Sequence, residues 1–142
     1  MKKNRVNIYN ESGRARLTKN KLENVALAAL NGEGIAESEI NIILLDDQAI
    51  HEMNREYLSH DYPTDVISFQ LDEEPLSGEV YISADTAEMQ AKDYNVSLTD
   101  ELMRLAVHGT LHIIGYDDAS PEERAAMSAL ENKYMEEALR SK

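Results

Sequence analysis

Two histidines and the acidic turn that follows them form the segment of this sequence with the clearest chemical potential. His108 and His112 lie four residues apart in ELMRLAVHGTLHII, whose apolar pattern predicts a helix. Residues at this spacing share one helix face, so both imidazoles can bind one metal ion. Gly115 predicts the helix end, and Asp117 and Asp118 follow within reach of the same ion. Two imidazoles and one carboxylate leave a position for water, which is typical of a catalytic metal site.

A histidine pair at this spacing also occurs by chance, so a purely structural role is the alternative. The apolar neighbours favour metal binding, because a buried imidazole without a partner costs free energy. The residue after His108 is Gly109, whereas zincin metalloproteases have a glutamate general base there. A carboxylate that activates water must therefore come from elsewhere. Asp65, at the start of a predicted strand, is the candidate for this catalytic role, and a turn or capping role is its alternative.

The rest of the sequence predicts one α+β domain, spanning residues 1–142, that positions these residues. Alternating or apolar runs predict strands over 5–10, 40–45, 66–71 and 79–83, with helices between and after them. The run at 40–45 is apolar on both faces, which predicts an inner strand. Apolar stripes predict the buried faces of the first helix (Leu22, Val25, Ala26, Ala29 and Leu30) and of the last helix (Met127, Leu130, Tyr134 and Ala138). Thr18, Asp47, Ser97 and Ser120 are the predicted helix caps. The order β-α-β-α-β-β-α-α-α indicates a mixed four-stranded sheet covered by about five helices, with the metal site on a long helix.

Composition narrows the function classes. The absence of cysteine excludes disulfides, thiolate metal sites and a cysteine nucleophile. No apolar run approaches the roughly 18 residues of a membrane span, and the N-terminus lacks the apolar core of a signal peptide, so we expect a cytoplasmic protein. A net charge of −13 argues against a nucleic-acid interface over the whole surface. Residues 1–21 nevertheless hold seven of the 14 basic residues and only one acidic residue. This segment is either a solvated basic edge or a local binding site for a polyanion.

Two separated motifs, HGTLHIIGYD at 108–117 and PTDVISF at 63–69, resemble those of the YbeY endoribonucleases, which are bacterial rRNA maturation factors. The first motif resembles the signature H-G-x-L-H-x-x-G-Y-D of that family, and the second resembles its P-T-D-V-L-S-F block. The resemblance covers most of the chain. It implies a metal-dependent, single-strand-specific endoribonuclease that acts in 16S rRNA 3′-end maturation and ribosome quality control. It also implies a zinc ion held by three side chains, an rRNA substrate in the small ribosomal subunit and ribosome-associated protein partners.

The third metal ligand departs from the family pattern. That ligand is usually a histidine just after G-Y-D, and the residue there is Asp118. The resemblance thus implies His108, His112 and Asp118 as the ligands, a harder set that could admit Mn²⁺, Ni²⁺ or Mg²⁺. Asp117 is the rival ligand, or it could instead orient a histidine.

A second departure concerns substrate binding. Leu58 stands where the family usually has an arginine that is thought to contact RNA or assist catalysis. Arg55, on the same predicted helix, could substitute for it. Arg104 lies one turn before His108, where it could meet a phosphate or pair with a nearby acid. His60, in the preceding loop, is a further candidate near the cleft.

Two other functions stay open at this point. One is another metallohydrolase, such as a peptidase, although Gly109 argues against it. The other is a non-catalytic ribosome-assembly factor whose metal only stabilises the fold, which Leu58 and the net charge favour. Tyr116 is expected to pack beside the metal loop. The acids of the last predicted helix are expected to form a solvated face, namely Glu122, Glu123, Glu131, Glu136 and Glu137.

Overall fold

The computed structural model describes residues 2–14, 17–58 and 64–140. Within these ranges the strands are β1 (Asn4–Asn10), β2 (Ser38–Leu45), β3 (Val66–Glu73) and β4 (Leu76–Ser83). The helices are α1 (Lys19–Gly32), α2 (Asp47–Leu58), α3 (Ala84–Tyr94), α4 (Leu98–Ile114) and α5 (Pro121–Arg140). This is the predicted order, and the α+β class is confirmed. His60 and most of the predicted turn at 61–64 lie outside the described residues.

The sheet is mixed, with the order β1-β2-β4-β3. β2 runs parallel to both β1 and β4, whereas β3 pairs antiparallel with β4. β2 therefore lies inside the sheet, as its apolar run predicts. Its residues Ile40, Ile42 and Leu44 are fully buried. The apolar stripe predicted for α1 is buried in full and lies in the same core as the buried face of α4.

Two glycines allow α4 to lie close against the sheet. A Cβ at Gly109 would lie 2.5 Å from Cγ1 of Val80 on β4, and a Cβ at Gly78 would lie 2.7 Å from Cδ1 of Ile113 on α4. Close packing thus accounts for the glycine after His108, since a zincin-type glutamate has no room there. With Gly109 and Ile113 against the sheet, the histidines that precede each of them point to the side of the helix that is free of the sheet.

Two predicted caps are confirmed, Thr18 is correct in position only, and Asp47 is wrong. Ser97 and Ser120 accept hydrogen bonds from the first turns of α4 and α5. Thr18 precedes α1 but makes no side-chain capping bond. Asp46, rather than Asp47, caps α2 by accepting a 2.9 Å hydrogen bond from the backbone of its third residue. The carboxylate of Asp47 instead accepts hydroxyl hydrogen bonds from the start of α3, which ties the two helices together.

No helix in the described part of the chain combines the length and the apolarity that are needed to cross a membrane.

Candidate metal centre and its cleft

Three side chains converge where α4 ends. His108 and His112 present their Nε2 atoms 3.1 Å apart, on the same helix face. The carboxylate of Asp118 lies 3.4 Å from Nε2 of His108 and 3.5 Å from Nε2 of His112. One ligand atom from each of the three lies within 4.8 Å of the others. The structure therefore brings together the three residues that were predicted as ligands.

These separations fit a single metal ion. In a tetrahedral centre with metal–ligand bonds of about 2.0–2.1 Å, the ligand atoms lie about 3.3–3.4 Å from one another. The two Nε2 atoms, 3.1 Å apart, lie close to this value. A different oxygen of Asp118 lies nearest each histidine, at 3.4 Å and 3.5 Å, so either oxygen could complete the group. The side chains of His108 and Asp118 are 20% and 37% exposed, so an ion held here would be open to solvent and substrate.

A buried carboxylate orients one of the histidines. Oε2 of Glu131, on α5, lies 2.7 Å from Nδ1 of His108, and its side chain is only 7% exposed. A proton on Nδ1 that is donated to this carboxylate leaves the lone pair of Nε2 directed at His112 and Asp118. The prediction of a solvated face is therefore wrong for Glu131. Its spacing from the predicted core residues Met127, Tyr134 and Ala138 was the sequence signal for burial.

The surrounding negative charge prepares the site for a cation. Burial alone would lower the pKa of His108, but the hydrogen bond that its ring donates to Glu131 and the charges of Glu131, Asp118 and Asp65 outweigh burial and raise it. The raised pKa shows that positive charge is stabilised at this point of the molecule.

Arg104 pairs with an acid, one of its two predicted roles. Its Nη1 donates to Oε1 of Glu131 at 3.2 Å and to Oδ1 of Asn132 at 3.3 Å. Glu131 thus bridges Arg104 and His108 and anchors two consecutive turns of α4 to α5. Because Arg104 also lines the cleft beside His108, its other N–H groups can still meet a phosphate.

The turn that carries Asp118 is held from two sides. Gly115 has a φ of 132°, which favours glycine, and lets the chain leave α4. The hydroxyl of Tyr116 then donates to Glu33, which also accepts the hydroxyl of the buried Tyr134 on α5. These hydrogen bonds lower the pKa of Glu33. Tyr116 therefore attaches the loop that carries Asp118 to the end of α1.

Asp117 takes a different part from Asp118. Its Oδ1 accepts the backbone N–H of Asp118 at 2.8 Å, and its side chain is exposed. Among the described residues, the converging group contains Asp118 and not Asp117. The rival carboxylate thus stabilises the turn.

A cavity of about 240 Å³ opens beside the three converging residues. Asp65 lines it together with His108 and Asp118, and Oδ2 of Asp65 accepts a 3.2 Å hydrogen bond from Gln90. Besides Glu131, sequence reasoning missed two further charged residues of the lining, Glu101 and Arg124. Glu101 lies seven residues before His108, and Arg124 donates to the backbone oxygens of Asp118 and Ala119. The i, i+7 spacing from His108 was the available signal for Glu101.

The predicted RNA contact Arg55, and Arg14 of the basic N-terminal segment, do not belong to the described lining of this cavity. Arg55 is exposed on α2. Arg14, from the basic N-terminal segment, forms ion pairs with Asp85 at 2.7 Å and Glu88 at 3.2 Å. Its charge is therefore largely neutralised within the protein. The side chain at position 58 lies outside the described part of the chain.

Fold and site together define a small α+β protein with a histidine–carboxylate group that can hold a metal ion beside a cleft. Comparison with known proteins identifies the family. The family model described as endoribonuclease YbeY matches residues 7–139. An endoribonuclease YbeY from Chloroherpeton thalassium is 37% identical over 129 residues, which cover 90% of this chain and 92% of that protein. The endoribonuclease YbeY from Aquifex aeolicus is 42% identical over 135 residues, which cover 92% of this chain and 89% of that protein.

A solved structure agrees with this result. The solution structure of TM1509 from Thermotoga maritima superposes with a TM-score of 0.70 at 30% identity, covering 94% of this chain and 88% of that one. The chain belongs to the endoribonuclease YbeY family, which confirms the resemblance seen in its two motifs. The predicted enzyme class, a hydrolase that acts on RNA, agrees with the name of these relatives.

Proposed function

We propose that this protein is a metal-dependent endoribonuclease that cleaves single-stranded RNA in 16S rRNA 3′-end maturation and ribosome quality control. The observation that carries the proposal is the convergence of His108, His112 and Asp118 beside a cleft, in a chain of this family. Its substrate is RNA of the small ribosomal subunit, and ribosome-associated proteins are the proposed partners.

Zinc is the proposed ion. Two imidazole nitrogens favour zinc and later transition metals over Mg²⁺, which prefers oxygen ligands. The separation of 3.1 Å between the two Nε2 atoms supports the same choice, because it is close to the spacing of ligand atoms around zinc. When bound, the ion supplies a Lewis acid that lowers the pKa of water and polarises a phosphodiester oxygen. His108, His112 and Asp118 would hold it, and Glu131 would keep His108 in the required tautomer.

Residues around the cleft have the remaining proposed roles, which are proton transfer and phosphate binding. Water attacks phosphorus, forming a new P–O bond while the bond to the leaving oxygen breaks. Asp65 is the proposed acceptor of the proton that water releases, since it lines the same cavity and its charge reaches His108. Solvent supplies the proton that the leaving oxygen takes up. Arg104 and Arg124 lie at the cavity, where guanidinium groups would bind the phosphate oxygens.

The first experiment measures metal and activity on the same samples. We expect about one zinc ion per chain in the purified protein by elemental mass spectrometry, and none in the variant His112→Ala. The protein should cut a single-stranded RNA and spare the same sequence in a duplex, and His112→Ala should lose this activity. His51→Ala is the matched control, because His51 lies on α2, away from the converging group.

Other outcomes would favour the alternatives. Metal-dependent cleavage of casein but not of RNA would indicate a peptidase, although Gly109 has no room for a zincin-type glutamate. If metal-free His112→Ala still supported ribosome maturation in cells, the protein would act as an assembly factor without catalysis.

A further inference from the structure

The cavity beside the metal group contains a buried acid that the proposed mechanism does not use. Glu101, on α4, is 2% exposed and lines the cavity. Its Oε1 is buried and has no hydrogen-bond partner among the described residues. A buried carboxyl oxygen without a partner costs free energy, which a ligand donor in the cavity would recover.

The other walls suit a flat heterocycle. Leu105 and Met127 contribute apolar surface, and Tyr94 places an aromatic ring, 63% exposed, at the same cavity. At about 240 Å³, the cavity is smaller than the roughly 300–1,000 Å³ of pockets for drug-sized ligands. A single nucleobase matches this size, and single-stranded RNA presents its bases to aromatic side chains in this way.

The polar groups of the cavity distinguish between bases. Glu101 offers acceptor oxygens, whereas Gln90 has its amide nitrogen held by Asp65 at 3.2 Å. That nitrogen carries a second N–H that can be donated to a ligand. Guanine presents two neighbouring donors, N1–H and the 2-amino group, beside the acceptor O6. Uracil has one N–H between two carbonyl oxygens, which a carboxylate would repel.

We propose that this cavity binds the base of a nucleotide next to the cleaved phosphodiester and prefers guanine, with Glu101 as the specificity-determining residue. The inference deepens the proposed function and rests on it, because RNA supplies the base. Burial raises the pKa of Glu101; Arg104 opposes this, while Asp65 and Glu131 add to it. Two donors from guanine would favour the ionised carboxylate. Arg124, beside Asp118 at the same cavity, would then face the phosphate.

The binding test uses the zinc-loaded full chain and mononucleotides. NMR titrations with GMP, IMP, AMP, CMP and UMP give a dissociation constant for each. We expect GMP to bind about tenfold more tightly than UMP, which is within the range for a bidentate contact with a base. IMP, which lacks the 2-amino group, should fall between them. Glu101→Gln should abolish the preference, whereas the control Asp100→Asn, an exposed neighbour on α4, should retain it.

A second variant keeps the test decisive if Glu101→Gln fails to fold. Tyr94→Ala removes an exposed ring. It should weaken the binding of all five nucleotides by a similar factor, about tenfold, because stacking on an aromatic ring does not depend on base identity. Equal affinity of the wild type for GMP and UMP would overturn the proposal, and so would a guanine preference that survives in a folded Glu101→Gln variant.

A cleavage assay separates this inference from the proposed function. RNAs with one variable base beside the cut should be cleaved with the same guanine preference. Cleavage that is indifferent to this base would refute the base pocket and leave the endoribonuclease standing. A guanine preference in binding, without cleavage of any RNA, would support the pocket and refute the endoribonuclease.

Discussion

Replacing Glu131 tests whether a residue outside the metal group controls metal binding. Its carboxylate lies 2.7 Å from Nδ1 of His108, in a side chain that is 7% exposed. Removing such a partner of a metal-bound histidine typically weakens metal affinity about 10- to 100-fold, or about 1.4–2.7 kcal/mol. We expect about tenfold for Glu131→Gln, which keeps a neutral acceptor, and nearer 100-fold for Glu131→Ala, which also leaves Arg104 without its acid.

The assay is competition for zinc with a chromophoric chelator at one fixed pH for all variants, because protons compete with zinc for His108. Glu136→Gln is the matched control, since Glu136 is exposed on the same helix and should bind zinc like the wild type. Circular dichroism of the metal-free proteins checks folding, because Glu131→Ala should lower the free energy of unfolding by about 1–3 kcal/mol. A change below threefold in zinc affinity for both folded Glu131 variants would refute the orienting role.

Three further predictions follow from neighbouring features. Asp118→Ala should weaken zinc binding at least tenfold, whereas Asp117→Asn should leave it within about threefold, as measured by the same competition; the reverse order would make Asp117 the ligand. Gly109→Ala should lower the free energy of unfolding, measured in urea, by about 1–3 kcal/mol, because the added Cβ would lie 2.5 Å from Val80. This loss is expected even though alanine favours a helix over glycine by about 1 kcal/mol. A stabilised variant would contradict the close packing of α4 on the sheet. Two tyrosine hydroxyls lower the pKa of Glu33, so the ionised Glu33 carboxylate stabilises the folded protein. This contribution to the free energy of unfolding is complete above the ordinary pKa of 4.5 and is lost as the pH falls through the lowered pKa. The difference in the free energy of unfolding between the wild type and Glu33→Gln should therefore be constant above pH 4.5 and should shrink at lower pH. A difference that grows on acidification would be incompatible with this account.

Local patterns in the sequence were sufficient for the secondary-structure elements and for two of the three candidate metal ligands. The helical period placed His108 and His112 on one face, and Gly115 marked the end of α4. The apolar stripe of α1 and the inner position of β2 were also predicted correctly. These features depend on interactions within a few residues or on the burial of one face, and both leave a periodic signal in the chain.

The helix caps show where local reasoning reaches its limit. Asp46 and Asp47 are adjacent and chemically identical, so the residue type could not decide which of them caps α2. The choice followed from tertiary structure, since the carboxylate of Asp47 meets hydroxyl groups at the start of α3. The same ambiguity between neighbouring carboxylates affected Asp117 and Asp118.

The sequence by itself determined the family, the order of the elements and the histidine pair. Only the tertiary structure brought Glu131 to His108, across 23 residues, and placed Asp65 and Glu101 at one cavity. The physical reason is that periodicity records which face of a helix is buried, but not which side chain of another element meets it there. An acid within an apolar stripe looks like a surface residue until packing supplies a buried partner that stabilises its charge.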